Sequence, residues 1–171
     1  LDGKWLSNDW WPDLGHTSLI NGHACYLLLK MYENDESKSH WAKAANRVLD
    51  HVMKHQRSDG RFPSGFDPQS GDPKTHFGFG GAFFVAPLLL SHRFFDNTLA
   101  FAAAQKALDH YWEEFCTLEW SGVDMDCRGA VDCGSSYALS RALVELHRQT
   151  EDTSLLSKLE HVLHYASCYR F

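Results

Sequence analysis

The sequence predicts an all-α fold built from three helical hairpins. Apolar residues recur along six segments with the period of an α-helix, about 3.6 residues. These segments come in pairs, and the pairs repeat at intervals of 55 to 62 residues. Each repeat unit contains a helix, a short turn, a second helix and a long loop. The units cover approximately residues 1–57, 58–117 and 118–171.

The first hairpin is predicted from helices over 17–32 and 38–55, joined by the polar connector 33–37. Ser37 or Ser39 is expected to cap the second helix. The apolar face of the first helix consists of Ile20, Ala24, Leu27, Leu28 and Met31, and that of the second of Trp41, Ala44, Ala45, Val48, Leu49 and Val52.

The other two hairpins are predicted over 80–95 with 98–115, and over 135–148 with 153–169. Their first helices are apolar or small on most sides, whereas their second helices have a charged face, which predicts an inner and an outer layer. Pro87 marks either a kink or the first turn of an inner helix. The apolar faces of the outer helices consist of Ala104, Ala107, Leu108, Tyr111 and Phe115, and of Leu156, Leu159, Val162, Leu163 and Ala166.

The repeat also predicts where the loops lie. Asp35, Asn97 and Asp152 occupy equivalent positions in the short connectors, and Leu49-Asp50-His51 recurs as Leu108-Asp109-His110. Every long loop joins an outer helix to the next inner helix, so the long loops are expected on one rim. Hairpins arranged in this way form part of an α/α toroid. A closed ring needs more than three, so we expect the remaining hairpins of the same domain to complete it.

Composition argues against several classes of partner. The net charge is −6 and no basic cluster is present, which disfavours nucleic acid. The longest apolar run, around 80–90, is shorter than the roughly 18 residues of a membrane span, so no membrane partner is expected. No cofactor or metal is predicted, since cysteines and histidines have no compact ligand spacing. The five cysteines form no tight disulfide framework, which favours a reduced protein and a cytoplasmic location over a secreted one: Cys25, Cys116, Cys127, Cys133 and Cys168.

The connectors and the exit from the first hairpin carry a family resemblance. The turn Leu146–Asp152, "LHRQTED", is similar to an "LY-x-x-TGD" turn with Glu151 in the glycine position, and Met31–Asp35 is a related turn. The segment Gln56–Phe62 has the form "Q…DG-x-aromatic". Together with the helix pairs, these motifs resemble the six-hairpin glycosidase superfamily. The resemblance implies a carbohydrate substrate bound at the long-loop rim, and cleavage by hydrolysis or by elimination.

The long loops contain residue types that suit such a site. Aromatic rings stack on sugars, and carboxylates act as general acid and base. Asp132 precedes an inner helix, whose N-terminus favours the ionised base, so Asp124 or Asp126 would be the acid. The residues expected to bind substrate are Trp5, Trp10, Trp11, Phe62, Phe66, Glu119, Trp120 and Arg128.

Other interpretations of the same residues stay open. Asp59 and Asp72 lie beside glycines and suit turns, Asp132 suits a helix cap, and the tryptophan pair Trp10–Trp11 suits the core. The spacing of Gln56, Gly60 and Phe62 is also similar to a repeat of terpene cyclases, although the aspartate-rich third loop disfavours that activity. A non-catalytic helical-repeat binding module is the third possibility.

Overall fold

The computed structural model describes residues 16–117 and 133–169, and within these ranges it contains three helical hairpins. The all-α prediction is confirmed. In each hairpin the two helices pack against one another. The bounds are α1 Ser18–Asn34, α2 Ser39–Lys54, α3 Val85–Phe95, α4 Thr98–Thr117, α5 Gly134–Thr150 and α6 Ser154–Ser167.

The helices divide into an inner and an outer set, as the sequence predicts. Helix α3 packs against both α1 and α5, and every residue over 78–91 is buried. A 3-10 turn, Gly80–Phe84, leads into α3, and Pro87 lies in the first turn of that helix, where its missing N–H costs no intrahelical hydrogen bond. In contrast, outer helix α6 buries only Leu155 and Val162.

The buried side of α1 differs from the prediction. Leu27 and Met31 are each 45% exposed, whereas Gly22, Cys25 and Leu29 are buried. Gly22 explains why this side of α1 is the buried one, because a Cβ there would lie 2.7 Å from the carbonyl carbon of Phe83. The absence of a side chain lets α1 approach the 3-10 turn closely, and this fixes which of its apolar sides is covered.

Among the outer helices, α6 also departs from its predicted face. Leu156 and Leu163 are exposed, and Leu155 is buried in their place. The apolar faces predicted for α2 and α4 are confirmed by the residues of these faces that are buried. These are Ala45, Leu49 and Val52 in α2, and Ala104, Ala107, Leu108, Tyr111 and Phe115 in α4.

The three equivalent connector residues share one role. The side chains of Asp35, Asn97 and Asp152 accept hydrogen bonds from the backbone N–H groups of Ser37, Ala100 and Ser154 at 3.0, 3.1 and 2.9 Å. The prediction that Ser37 or Ser39 caps α2 is wrong, because no side chain caps α2 and Asp35 caps the preceding 3-10 turn Glu36–Lys38. Hydrogen bonds with Ser37 and Ser154 also lower the pKa of Asp35 and Asp152.

Two connectors reverse direction through a left-handed residue. Asp96 has φ 51° and Glu151 has φ 55°. Each donates its N–H to a carbonyl four residues earlier, of His92 and His147 respectively, at 2.8 Å. This is the helix-ending geometry in which glycine is favoured, so the backbone at Glu151 would suit a glycine.

Replacing Glu151 with glycine is therefore expected to stabilise the fold. Glycine removes the steric cost of the left-handed conformation, which is about 1 kcal/mol, so we expect a gain of about 0.5–1 kcal/mol in the free energy of unfolding. Urea denaturation measures this change in the free energy of unfolding. Glu160→Gly, at an exposed position inside α6, is the matched control and is expected to lose about 1 kcal/mol. Equal losses in both variants would contradict the expectation.

A small antiparallel sheet, which the sequence analysis does not predict, joins two loops. Its strands are β1 His16–Thr17, β2 Gly65–Phe66 and β3 Pro73–Thr75, in the order β1-β2-β3. The segment before α1 and the loop after α2 are thereby held on the same rim, as predicted. The third long loop, residues 118–132, lies outside the described residues. Within 16–117 and 133–169, no helix has both the length and the apolar character needed to cross a membrane.

Candidate functional site

The loop after α2 is fixed to both outer helices that flank it. Gln56 donates from Nε2 to the carbonyl oxygens of Gly60 (2.9 Å) and of Ala103 in α4 (2.8 Å). Gly60 has φ 97°, and a Cβ there would lie 2.4 Å from the Lys106 carbonyl oxygen. The "Q…DG" motif therefore holds the loop exit against α4, and its glycine is required by both backbone conformation and space.

Equivalent histidines of the repeat hold this loop at two points. His51 of α2 hydrogen-bonds through Nε2 to the Gly71 carbonyl at 2.8 Å, and His110 of α4 accepts at Nε2 from Nε of Arg61 at 2.9 Å. Arg61 is also paired with Glu114. Burial raises the pKa of Glu114 despite the opposing charge of Arg61. Arg61 and His110, the two partners of the Glu114 carboxylate, both help to hold the loop. Glu114 therefore anchors the loop to α4.

An open groove runs between α1 and α5, beside α6, from the start of α5 toward its C-terminal end. Its upper cavity has a volume of about 650 Å³ and is lined by the start of α5, the first turns of α1 and the end of α6. A second cavity of about 410 Å³ shares Ser140 and Leu163 with it and continues along α1 and α5. We call the two together the α1–α5 groove. The side chains used below are Tyr26, Lys30 and His23 of α1, and Ser136, Tyr137, Ser140, Arg141 and Arg148 of α5.

Arg141 lies at the centre of this groove. Its guanidinium carbon is 3.9 Å from the ring centroid of Tyr137 and 4.4 Å from that of Tyr26. Such distances give favourable cation–π contacts. Nη1 lies 3.0 Å from Nδ1 of His23, and Nη2 donates to the hydroxyl of Tyr137. The guanidinium is thus held in one orientation between two aromatic rings.

The contact with Arg141 also fixes the state of His23. A guanidinium only donates hydrogen bonds, so Nδ1 of His23 must accept, and the ring is neutral with its proton on Nε2. Burial, together with the charge of Arg141, lowers the pKa of His23. The Tyr137 ring stacks on His23 with 6.1 Å between centroids and remains 46% exposed. The groove therefore offers a half-exposed aromatic ring beside the guanidinium of Arg141 and the Nε2–H of His23.

Two residues predicted to bind substrate are instead part of the core. Phe62 and Phe66 are fully buried. Tyr111 holds the Phe62 backbone, accepting from its N–H at 3.2 Å and donating to its carbonyl at 3.3 Å, while Phe66 packs against the ring of His51. The prediction is wrong for these two because the loop folds inward, and burying an aromatic ring is more favourable than exposing it.

The other predicted residues lie outside the described ranges: Trp5, Trp10, Trp11, Glu119, Trp120, Asp124, Asp126, Arg128 and Asp132. Of the open alternatives, the turn interpretation fits Asp59, whose side chain accepts from the Arg61 backbone N–H at 3.0 Å. Asp72 follows the turn between β2 and β3 and closes it, since its carbonyl accepts from the N–H of Asp67 at 2.8 Å. Cys133, which follows Asp132 in the chain, lines the α1–α5 groove.

The sequence reasoning missed the groove residues. Tyr137 and Arg141 are four residues apart on α5, and His23 and Tyr26 are three apart on α1, so each pair lies on one side of its helix. One sequence signal could have identified them. Aromatic and charged residues are unexpected in helices that are predicted to be inner. In the described part of the chain, no three His, Cys, Asp or Glu side chains are grouped as metal ligands.

No protein-family model matches this chain, and no curated protein matches its sequence significantly.

Proposed function

We propose that this chain is part of a carbohydrate-active enzyme of the six-hairpin glycosidase type, and that it binds sugar in the α1–α5 groove. The observation that carries the proposal is the half-exposed Tyr137 ring, fixed beside Arg141 and His23 near the start of α5. The apolar face of a sugar stacks on such a ring, while its hydroxyls pair with donors at the edge. Ser140 lines the same groove and adds a hydroxyl.

The proposed chemistry is cleavage of a glycosidic bond by paired carboxylates. Asp132 is the base or nucleophile, and Asp124 or Asp126 is the acid. Asp132 is two residues before Gly134, where α5 begins, and the positive end of the helix dipole favours an ionised carboxylate there. One carboxyl group must stay protonated while the other is ionised, and neighbouring carboxylates separate one another's pKa values in this way.

The charge of the groove favours this activity over a terpene-cyclase-like reaction. Cyclisation of a hydrocarbon suits an aromatic cavity with few charges, whereas Lys30, Arg141 and Arg148 all line the α1–α5 groove. A long loop that carries its own strands and is anchored to two helices also differs from the short loops of a helical-repeat binding module.

Removing the aromatic platform tests the proposed site. Tyr137→Ala is expected to weaken the binding of oligosaccharides about tenfold, since an aromatic contact contributes about 0.5–1.5 kcal/mol beyond the area it buries. Calorimetric titration of the chain with a panel of neutral and acidic oligosaccharides gives the dissociation constants. Product analysis on the same panel separates hydrolysis, which yields a new reducing end, from elimination, which yields an unsaturated sugar.

Phe95→Ala is the matched control for this experiment. Phe95 is an aromatic residue of similar exposure, 41%, at the end of α3 on the opposite rim. We expect it to leave binding unchanged. If no saccharide binds, or if both variants weaken binding equally, the proposed site is wrong.

A further inference from the structure

The described lining of the α1–α5 groove carries basic side chains. It includes Lys30, Arg141 and Arg148, and no described aspartate or glutamate lines it. In a groove with apolar walls, unbalanced charge attracts a ligand of the opposite sign. A site for a neutral sugar has no need of such an excess.

The three cations differ in what balances them. Lys30 pairs with Glu33 and lies 3.9 Å from Glu145, and Arg148 pairs with Glu145 at 3.0 Å. Arg141 has no carboxylate partner in the described part of the chain, and its contacts there are with His23, Tyr26 and Tyr137. Among the described residues of the groove, Arg141 is therefore the cation that no carboxylate balances.

The setting of Arg141 suits one kind of anion. Its planar guanidinium is held between two rings, so little conformational freedom remains to be lost when a ligand binds. A guanidinium with free donors pairs with a planar carboxylate through two parallel hydrogen bonds. Nε2–H of His23 supplies a further donor at the same place, because its Nδ1 is already occupied by Arg141.

We propose that the carbohydrate bound in the α1–α5 groove carries a carboxylate, as a uronic acid does, and that this carboxylate pairs with Arg141 while the sugar ring stacks on Tyr137. The inference rests on the proposed function and names the substrate class for that site. Arg141 acts here as a specificity residue, and the bond-breaking residues remain the aspartates of the third loop.

Matched ligands test the charge separately from the shape. The chain is titrated with glucuronate and galacturonate, with their methyl esters, and with glucose and galactose, and binding is followed by calorimetry or NMR. Methyl esterification removes the charge and keeps the ring. We expect at least one acid to bind about tenfold more tightly than its ester, as charge-assisted hydrogen bonds require.

Variants assign the preference to Arg141. Arg141→Gln is expected to bind an acid and its ester equally. Arg141→Lys is expected to retain part of the preference for the acid, since lysine keeps the positive charge but lacks the two parallel N–H donors of the guanidinium. Arg47→Gln removes the same charge from an exposed position on outer helix α2 and is expected to keep the full preference. Unchanged binding of the esters to Arg141→Gln shows that the groove is still folded.

The possible failures are distinguishable. If esters and neutral sugars bind as well as the acids, or if Arg141→Gln retains the preference, the uronate proposal is overturned while sugar binding stands. If no saccharide binds, both proposals fail. Selective binding of an acid that is lost in Arg141→Gln supports the uronate proposal, and it does so independently of the reaction that the complete domain catalyses.

Discussion

Asp132→Asn is expected to lower kcat for cleavage of a bound saccharide by about 10²–10⁴-fold, with little change in KM. Asparagine keeps the size of aspartate but does not accept a proton, and general acid–base catalysis contributes rate factors of this order. The same substitution at Asp124 or Asp126 is expected to produce a loss of similar size at whichever residue is the acid. Steady-state kinetics on the saccharide that binds best measures all three variants.

An aspartate on the other rim supplies the control. Asp96 is exposed in the connector between α3 and α4, and asparagine tolerates its left-handed conformation, so Asp96→Asn is expected to keep full activity. Thermal unfolding of each variant separates catalysis from capping. If Asp132→Ala loses stability and Asp132→Asn keeps both stability and activity, the residue is a helix cap, because asparagine caps a helix as well as aspartate does. Full activity in all three loop variants refutes the catalytic assignment.

Glu145→Gln is expected to cost about 3–5 kcal/mol in the free energy of unfolding. The side chain is 1% exposed, and its carboxylate lies 3.0 Å from Nη1 of Arg148 and 3.4 Å from Nη1 of Arg93. Lys30 is 3.9 Å away. Glutamine fills the same space without the negative charge, so the three cations are left facing one another. Removing one partner of a buried ion pair typically costs about 3–5 kcal/mol.

Glu33→Gln provides the comparison within the same network. Glu33 also pairs with Lys30 and Arg93, but its side chain is 31% exposed, so its loss is expected to cost less than about 1 kcal/mol. Chemical denaturation of the two variants under identical conditions gives the difference. Equal costs would mean that burial of Glu145 does not determine the strength of the network.

Local features of the sequence determined the hairpins, the inner and outer layers and the connector positions. Asp35, Asn97 and Asp152 recur at the repeat interval because each caps the turn that its own neighbours form. The apolar face of α4 was predictable for a similar reason, since alanine and aromatic residues on one side and charges on the other leave a single way to bury the helix. These interactions join residues a few positions apart.

Tertiary structure alone decided the features that join distant segments. Periodicity did not show which side of α1 is covered, because α1 is apolar on more than one side and the contact at Gly22 with Phe83 selects among them. Nor did it show that Phe62 and Phe66 turn inward. Arg141 and His23 are 118 positions apart, and they meet because α1 and α5 both pack on α3. The groove exists only once that packing has formed, and no local pattern specifies a contact over such a separation.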